Sequence, residues 1–217
     1  MRINPDNSFV HVMTSVFDVT ITYILYLLCC VPVVTIGAAT TALHVTLLSV
    51  MEDSCSGVLK KFFGAFCENF KISSGLWLLF VAAGVVVAAD IMICFGFDMA
   101  QENAMLYAMR GITVFCVALY TMMFHYTFAG VAKFQVTWKQ ALRNALMFIT
   151  KYPLRSLGIF LLTAAEAFSF YMGLIWALPV VIILVYLQEM MLRDVFHKTL
   201  GTKRSKATVC DETIYYE

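Results

Sequence analysis

The chain has 217 residues, 61% of them apolar and 13% charged, with a formal net charge of +1; ordinary soluble domains carry about 25% charged residues. A water-soluble monomer cannot hide that much apolar surface. A near-neutral chain without a basic, aromatic-interleaved surface also gives no case for nucleic acid.

Four stretches, 19–51, 72–97, 111–132 and 156–188, are nearly free of charge. Each reaches the roughly 18 to 20 residues that cross a bilayer core as helix. The fold class expected is therefore all-α, a polytopic transmembrane bundle in residues 1–200, followed by a polar cytoplasmic tail in 201–217.

Ahead of the first run, Pro5, Asp6, Asn7 and Ser8 supply helix-start chemistry, and Phe9, Met13, Val16 and Phe17 recur at helical spacing. The first run, read as one span over about 19–44, contains CVPVVTIGAATTALH. Pro32 lacks an amide proton and crowds the preceding turn, so it predicts a kink. Thr35 is placed to bond carbonyls freed by that kink. Gly37, Ala38, Thr41 and Ala42 form small-xxx-small pairs that admit close helix approach; the sharper reading is an unwound half-helix lining a solute path. The same run is also long enough to fold as a hairpin, which gives six spans and an inside N-terminus.

Next comes VLKKFFGAFCENFK. Phe62, Phe66 and Phe70, with Phe63 beside them, oppose Lys60, Lys61, Glu68 and Asn69, the pattern of an amphipathic helix on the inner membrane surface. Span 2 covers about 72–97 and span 3 about 108–132. The segment VTWKQALRNALMFITKYP repeats the amphipathic design, with Trp138 and Leu146 on one side and Arg143 and Asn144 on the other. Spans 4 and 5 take about 154–176 and 177–195, with an outer turn in Gly173–Pro179. Of fifteen basic residues, thirteen fall on one side of this five-span arrangement. Basic loops mark the cytoplasm, so it predicts an outside N-terminus and an inside C-terminus.

Polar groups at membrane depth are the functional candidates. Glu166 in span 4 and His125 in span 3 fall at similar depth, and they either share a proton or a polar solute, or simply bond the two helices. Asp90 and Arg110 are candidates for a structural ion pair across the outer hairpin. His44 reads as an interfacial histidine. The seven cysteines and four histidines form no metal-ligand spacing. No phosphate-loop, nucleophile-elbow or zinc-protease motif is present, so neither an enzyme nor a cofactor is expected.

The blocks LLCCVPVVTIGAATTALHVTLL, KKFFGAFCENFKISSGLWLL and LRNALMFITKYPLRSLGIFLL together resemble the YesL-like bacterial membrane proteins, a family of unknown function. Tyr23 and Tyr26 depart from its usual Asn and Trp. The resemblance implies a roughly five-span bacterial membrane protein without an established activity, often encoded beside carbohydrate-uptake and polysaccharide-degradation genes; the role expected on that ground is an accessory or assembly partner in carbohydrate uptake at the inner membrane, with membrane lipid and a sugar transporter permease as partners. A small-solute carrier using Glu166 and His125 is the alternative. Oligomeric state is left open.

Overall fold

A computed structural model describes residues 8–52, 57–96, 104–134, 136–172 and 174–213. The described residues form seven α-helices: α1 (Ser8–Cys29), α2 (Ile36–Met51), α3 (Val58–Gly96), α4 (Ala104–Phe134), α5 (Trp138–Lys151), α6 (Pro153–Met172) and α7 (Leu174–Thr213). Among the described residues there is no strand. Three helical stretches, Val33–Met51, Val58–Phe95 and Met105–Phe134, are long and apolar enough to cross a membrane, and a fourth is reached if α5 and α6 count as one bent span.

The first apolar run does not form the single kinked span expected over 19–44. The α-helix stops at Cys29, a short 3-10 turn fills Val33–Thr35, and α2 folds back against α1. A continuous helix would hold Val19 and Leu47 about 42 Å apart, yet the two share one buried cluster with Leu43 and Val50. Pro32, in extended conformation, caps the 3-10 turn. The Thr35 hydroxyl stands 2.6 Å from the carbonyl oxygens of both Cys29 and Pro32, so backbone groups freed at the break find a partner.

Within α2 every residue from Gly37 to Ser49 except Val45 is buried. Its small side chains let α3 approach backbone to backbone. A Cβ on Gly37 would lie 2.4 Å from the Ser73 carbonyl oxygen. One turn on, the Thr41 hydroxyl bonds that of Ser73 at 2.7 Å, and Ala42 packs with Phe62 and Ala65.

The segment expected as a separate surface helix over 58–71 is instead the first third of α3. That helix has 39 residues, about 58 Å at the helical rise. Nothing between Phe70 and Ile72 breaks it. Its buried stripe, Val58, Phe62, Ala65, Asn69, Ser73, Leu76 and Phe80, runs unbroken from the amphipathic half into the apolar half. Phe63 and Phe70 are exposed and Phe66 is half-buried, so the stripe turns away from the 62-66-70 line suggested by phenylalanine spacing. Beyond Phe80, α3 and α4 continue as an apolar pair, with Val85, Val86, Met92, Ile112 and Phe115 facing outward.

The second amphipathic segment is a distinct helix. Tyr152 adopts φ −128° and ψ 61°, because the following proline disfavours helical geometry, and α5 meets α6 at 106°. At its start the Thr137 amide donates to Gln140 Oε1 at 3.2 Å. Its buried side is Ala141, Ala145 and Phe148; Ala145 and Phe148 join Tyr126, Ile159, Leu192, Val195 and Phe196 in one apolar cluster, and Ala141 packs with Leu76, Phe80, Phe128 and Val131. Trp138, Arg143 and Leu146 are exposed and Asn144 is half-buried. Helix α7 extends through residues 201–213, the first part of the segment expected as a polar tail; α6 ends at Met172 and α7 begins at Leu174, and Gly173, where the outer turn was expected to start, lies outside the described residues.

Candidate functional site

Five of the helices, α1, α2, α4, α6 and α7, converge on a cavity of about 200 Å³. Each contributes at a position fixed by the packing above: Tyr23 and Tyr26 from α1, Thr40 and His44 from α2, Phe124 and His125 from α4, Glu166 from α6, and Gln188 and Glu189 from α7. Glu166 and His125, singled out from sequence, line the same cavity. His44, expected at the interface, is 5% exposed and Glu189 is 1% exposed. Both are buried because α2, between α1 and α3, also packs on α7 through Leu43, Leu47, Ile182 and Val185.

His44 Nδ1 bonds Glu189 Oε1. Opposite them, the Thr163 hydroxyl lies 2.8 Å from the Ile159 carbonyl and 3.1 Å from His125 Nε2. A hydroxyl has a single proton. Given to the nearer Ile159 carbonyl, it leaves His125 Nε2 as the donor and His125 Nδ1 as a bare acceptor. Gln188 Nε2 donates to the remaining lone pair of Thr163 at 3.4 Å.

Four atoms of this group are buried with no hydrogen-bond partner among the described residues: His44 Nε2, His125 Nδ1, Glu166 Oε1 and Glu189 Oε2. Buried polar groups are seldom left so. The cluster is therefore incomplete as it stands and has the hydrogen-bonding capacity to hold a small polar guest. Metal ligation is a poor match, since among the described residues no three His, Cys, Asp or Glu side chains are grouped to hold an ion.

At the end of the bundle where α2 stops, Glu52 pairs with Lys133 and stands 3.8 Å from His197 Nε2. Arg193 donates to the Met51 carbonyl at 3.4 Å, and Arg155 pairs with Asp194 at 3.4 Å. These contacts tie α2, α4, α6 and α7 just beyond the cavity.

Asp90 and Arg110 do not form an ion pair. Arg110 Nε donates to the Cys94 carbonyl at 3.2 Å and its guanidinium lies over the rings of Phe95 and Tyr107. Cys94, one turn beyond Asp90, comes between them and directs its own thiol at Asp90 Oδ1 at 3.9 Å. The glycine and alanine motif after Pro32 acts in packing, and the helix there is wound rather than open from Ile36 on.

Sequence spacing gave no reason to join His44 to Glu189, since 145 residues separate them. The usable signal was depth: each stands near the charged end of an apolar run, a few residues inside Glu52 or Arg193.

A family model described as "Protein of unknown function, DUF624" matches residues 17–91, which take in most of α1, all of α2 and α3 as far as Ile91. The match includes Tyr23, Tyr26, Thr40 and His44 of the cavity. No curated protein matches the chain, and no solved structure does.

Proposed function

We propose that this chain is an integral membrane protein that binds a small polar solute at membrane depth, as a carrier does. The observation that carries the reading is the set of four unpartnered buried polar atoms around one cavity. Desolvating such groups is costly unless something returns their hydrogen bonds.

The hairpin of α1 and α2 brings the start of α1 to the end of the bundle where α2, α4 and α7 carry Glu52, Lys133 and Arg193. Lys60, Lys61, Lys139, Lys151 and Arg155 belong to the same end. By the bias of basic residues toward the cytoplasm, both α1 and α7 present that end to the inside, in place of the outside start that a single first span implies. In this arrangement α1, α2, α3, α4, α6 and α7 traverse or enter the bilayer, and α5 lies along its inner face with Trp138 and Leu146 toward lipid. The bacterial inner membrane is the location that the YesL-like resemblance implies.

The test is reconstitution of the purified full chain in liposomes, with uptake of labelled amines, polyols and carboxylates followed over time. Uptake of at least one class, lost when His44 and Glu189 are both replaced by leucine, is the expected result. A correctly folded protein that moves none of them would sink the carrier reading. Stoichiometric recovery with a sugar permease from detergent extracts would instead favour the accessory role in carbohydrate uptake.

A further inference from the structure

The unpartnered atoms have a common chemical character. Glu166 Oε1 and Glu189 Oε2 are carboxylate oxygens, and His125 Nδ1 is an acceptor once its Nε2 donates to Thr163. His44 gives its Nδ1 to Glu189, which makes Nε2 an acceptor as well in the neutral ring. Three acceptors without donors, and a fourth when the His44 ring is neutral, call for a guest rich in N–H or O–H.

Charge narrows the choice. Two carboxylates line the cavity and no lysine or arginine does. With the His44 ring neutral neither carboxylate has a counter-charge; Glu189 Oε1 has His44 Nδ1 as a hydrogen-bond partner, whereas Glu166 Oε1 has none. The remaining wall includes Tyr23, Tyr26 and Phe124, with the two tyrosine ring centroids 5.9 Å apart. Aromatic faces attract cations and repel anions. Glu189, almost completely buried yet with one oxygen unsatisfied, shows that the polar set is built into the interior rather than left at a wet surface.

Resting on the solute-binding reading above, we propose that the cavity takes a primary ammonium group, with Glu166 as its counter-ion and His125 Nδ1 and Glu189 Oε2 as acceptors. A primary ammonium has three donors and no acceptor, enough for Glu166 Oε1, His125 Nδ1 and Glu189 Oε2, three of the four vacant positions. A quaternary ammonium has the charge without the donors, and a carboxylate or phosphate has the wrong sign. About 200 Å³ is several times the roughly 30 Å³ share of one water, so the ammonium enters with a short attached chain. Such a group is found both on free small amines and on aminated lipid headgroups.

Thermal unfolding of the full chain in nanodiscs of phosphatidylglycerol, which carries no ammonium, tests this directly. Methylammonium, ethanolamine, tetramethylammonium, glycerol and acetate are added separately at millimolar concentration. The expected result is a concentration-dependent rise in Tm with methylammonium and ethanolamine, at least tenfold weaker apparent affinity for tetramethylammonium, and no rise with acetate. Glu166→Gln should abolish the rise while leaving the unliganded Tm within a few degrees. Should Glu166→Gln fail to fold, Tyr23→Leu serves instead and should weaken binding by about tenfold. Nanodiscs containing phosphatidylethanolamine distinguish the source: a raised Tm there, with no further response to free amine, assigns the site to the headgroup. A rise with glycerol or acetate and none with methylammonium, ethanolamine or phosphatidylethanolamine overturns the ammonium assignment while leaving a solute site in place. No response to any probe overturns both.

Discussion

Gly37 and Gly75 show how differently one residue type is used in two touching helices. A Cβ at Gly37 would meet the Ser73 carbonyl at 2.4 Å and Trp77 Cβ at 2.6 Å, whereas one at Gly75 meets nothing within 4 Å. Gly37→Ala must push α2 from α3 and should cost about 1 to 3 kcal/mol, the usual range for overpacking. Gly75→Ala fills open space on a helix and should be neutral or stabilising by about 0.5 to 1 kcal/mol. Unfolding in mixed micelles measures both, and equal effects would mean that α2 and α3 are not in backbone contact. His44 and Glu189 obey a second residue-scale rule. Removing only one member of a buried pair strands the other, at about 3 to 5 kcal/mol. Glu189→Ala should therefore unfold much more easily than the double replacement of His44 and Glu189 by leucine, which leaves neither group stranded. A double variant as unstable as the single one would contradict the pairing.

Among the helices, a single proline decides whether an amphipathic segment stays in line with its span. The 58–71 segment has none and continues into the apolar half of α3; the 138–151 segment meets Pro153 and turns by 106°. That both segments are helical was readable in the sequence; at Pro32 it predicted a kink where the helix in fact stops. Which side of each helix is buried was not readable, because that depends on neighbours distant in the chain. Phenylalanine spacing marked Phe66 and Phe70 in α3, but α2 covers the stripe at Ala65 and Ser73, and α4 at Leu76 and Phe80. In α5, Trp138 and Leu146 were conspicuous, yet Phe148 makes the contacts with Tyr126 and Phe196. Phe148→Ala should accordingly cost about 3 to 5 kcal/mol, and Leu146→Ala within about 0.5 kcal/mol. Similar losses from the two would mean that α5 is rotated about its axis.

At the scale of the whole molecule, helix content and membrane character followed from composition, while the path of the chain did not. A run of apolar residues records that lipid or protein surrounds it, but not whether it crosses once or doubles back; both satisfy the same burial. The candidate site was half legible for the same reason. Glu166 and His125 declared themselves as ionisable groups within apolar runs, while His44 and Glu189 lay near run ends, where a charged group needs no explanation until the hairpin buries it. The hairpin is therefore the feature on which topology and site both depend, and it has a direct test. In a variant lacking the native cysteines, Val19→Cys and Leu47→Cys should be joined by a short bifunctional thiol reagent, since the two positions share a buried cluster; in one kinked span they would be about 42 Å apart. A fluorescent protein fused ahead of α1 should then remain on the cytoplasmic side, the side of Lys139 and Lys151. Cross-linking without cytoplasmic fluorescence would keep the hairpin and reverse the assignment of the basic end. Neither signal would restore the single first span and, with it, remove His44 from the neighbourhood of Glu189.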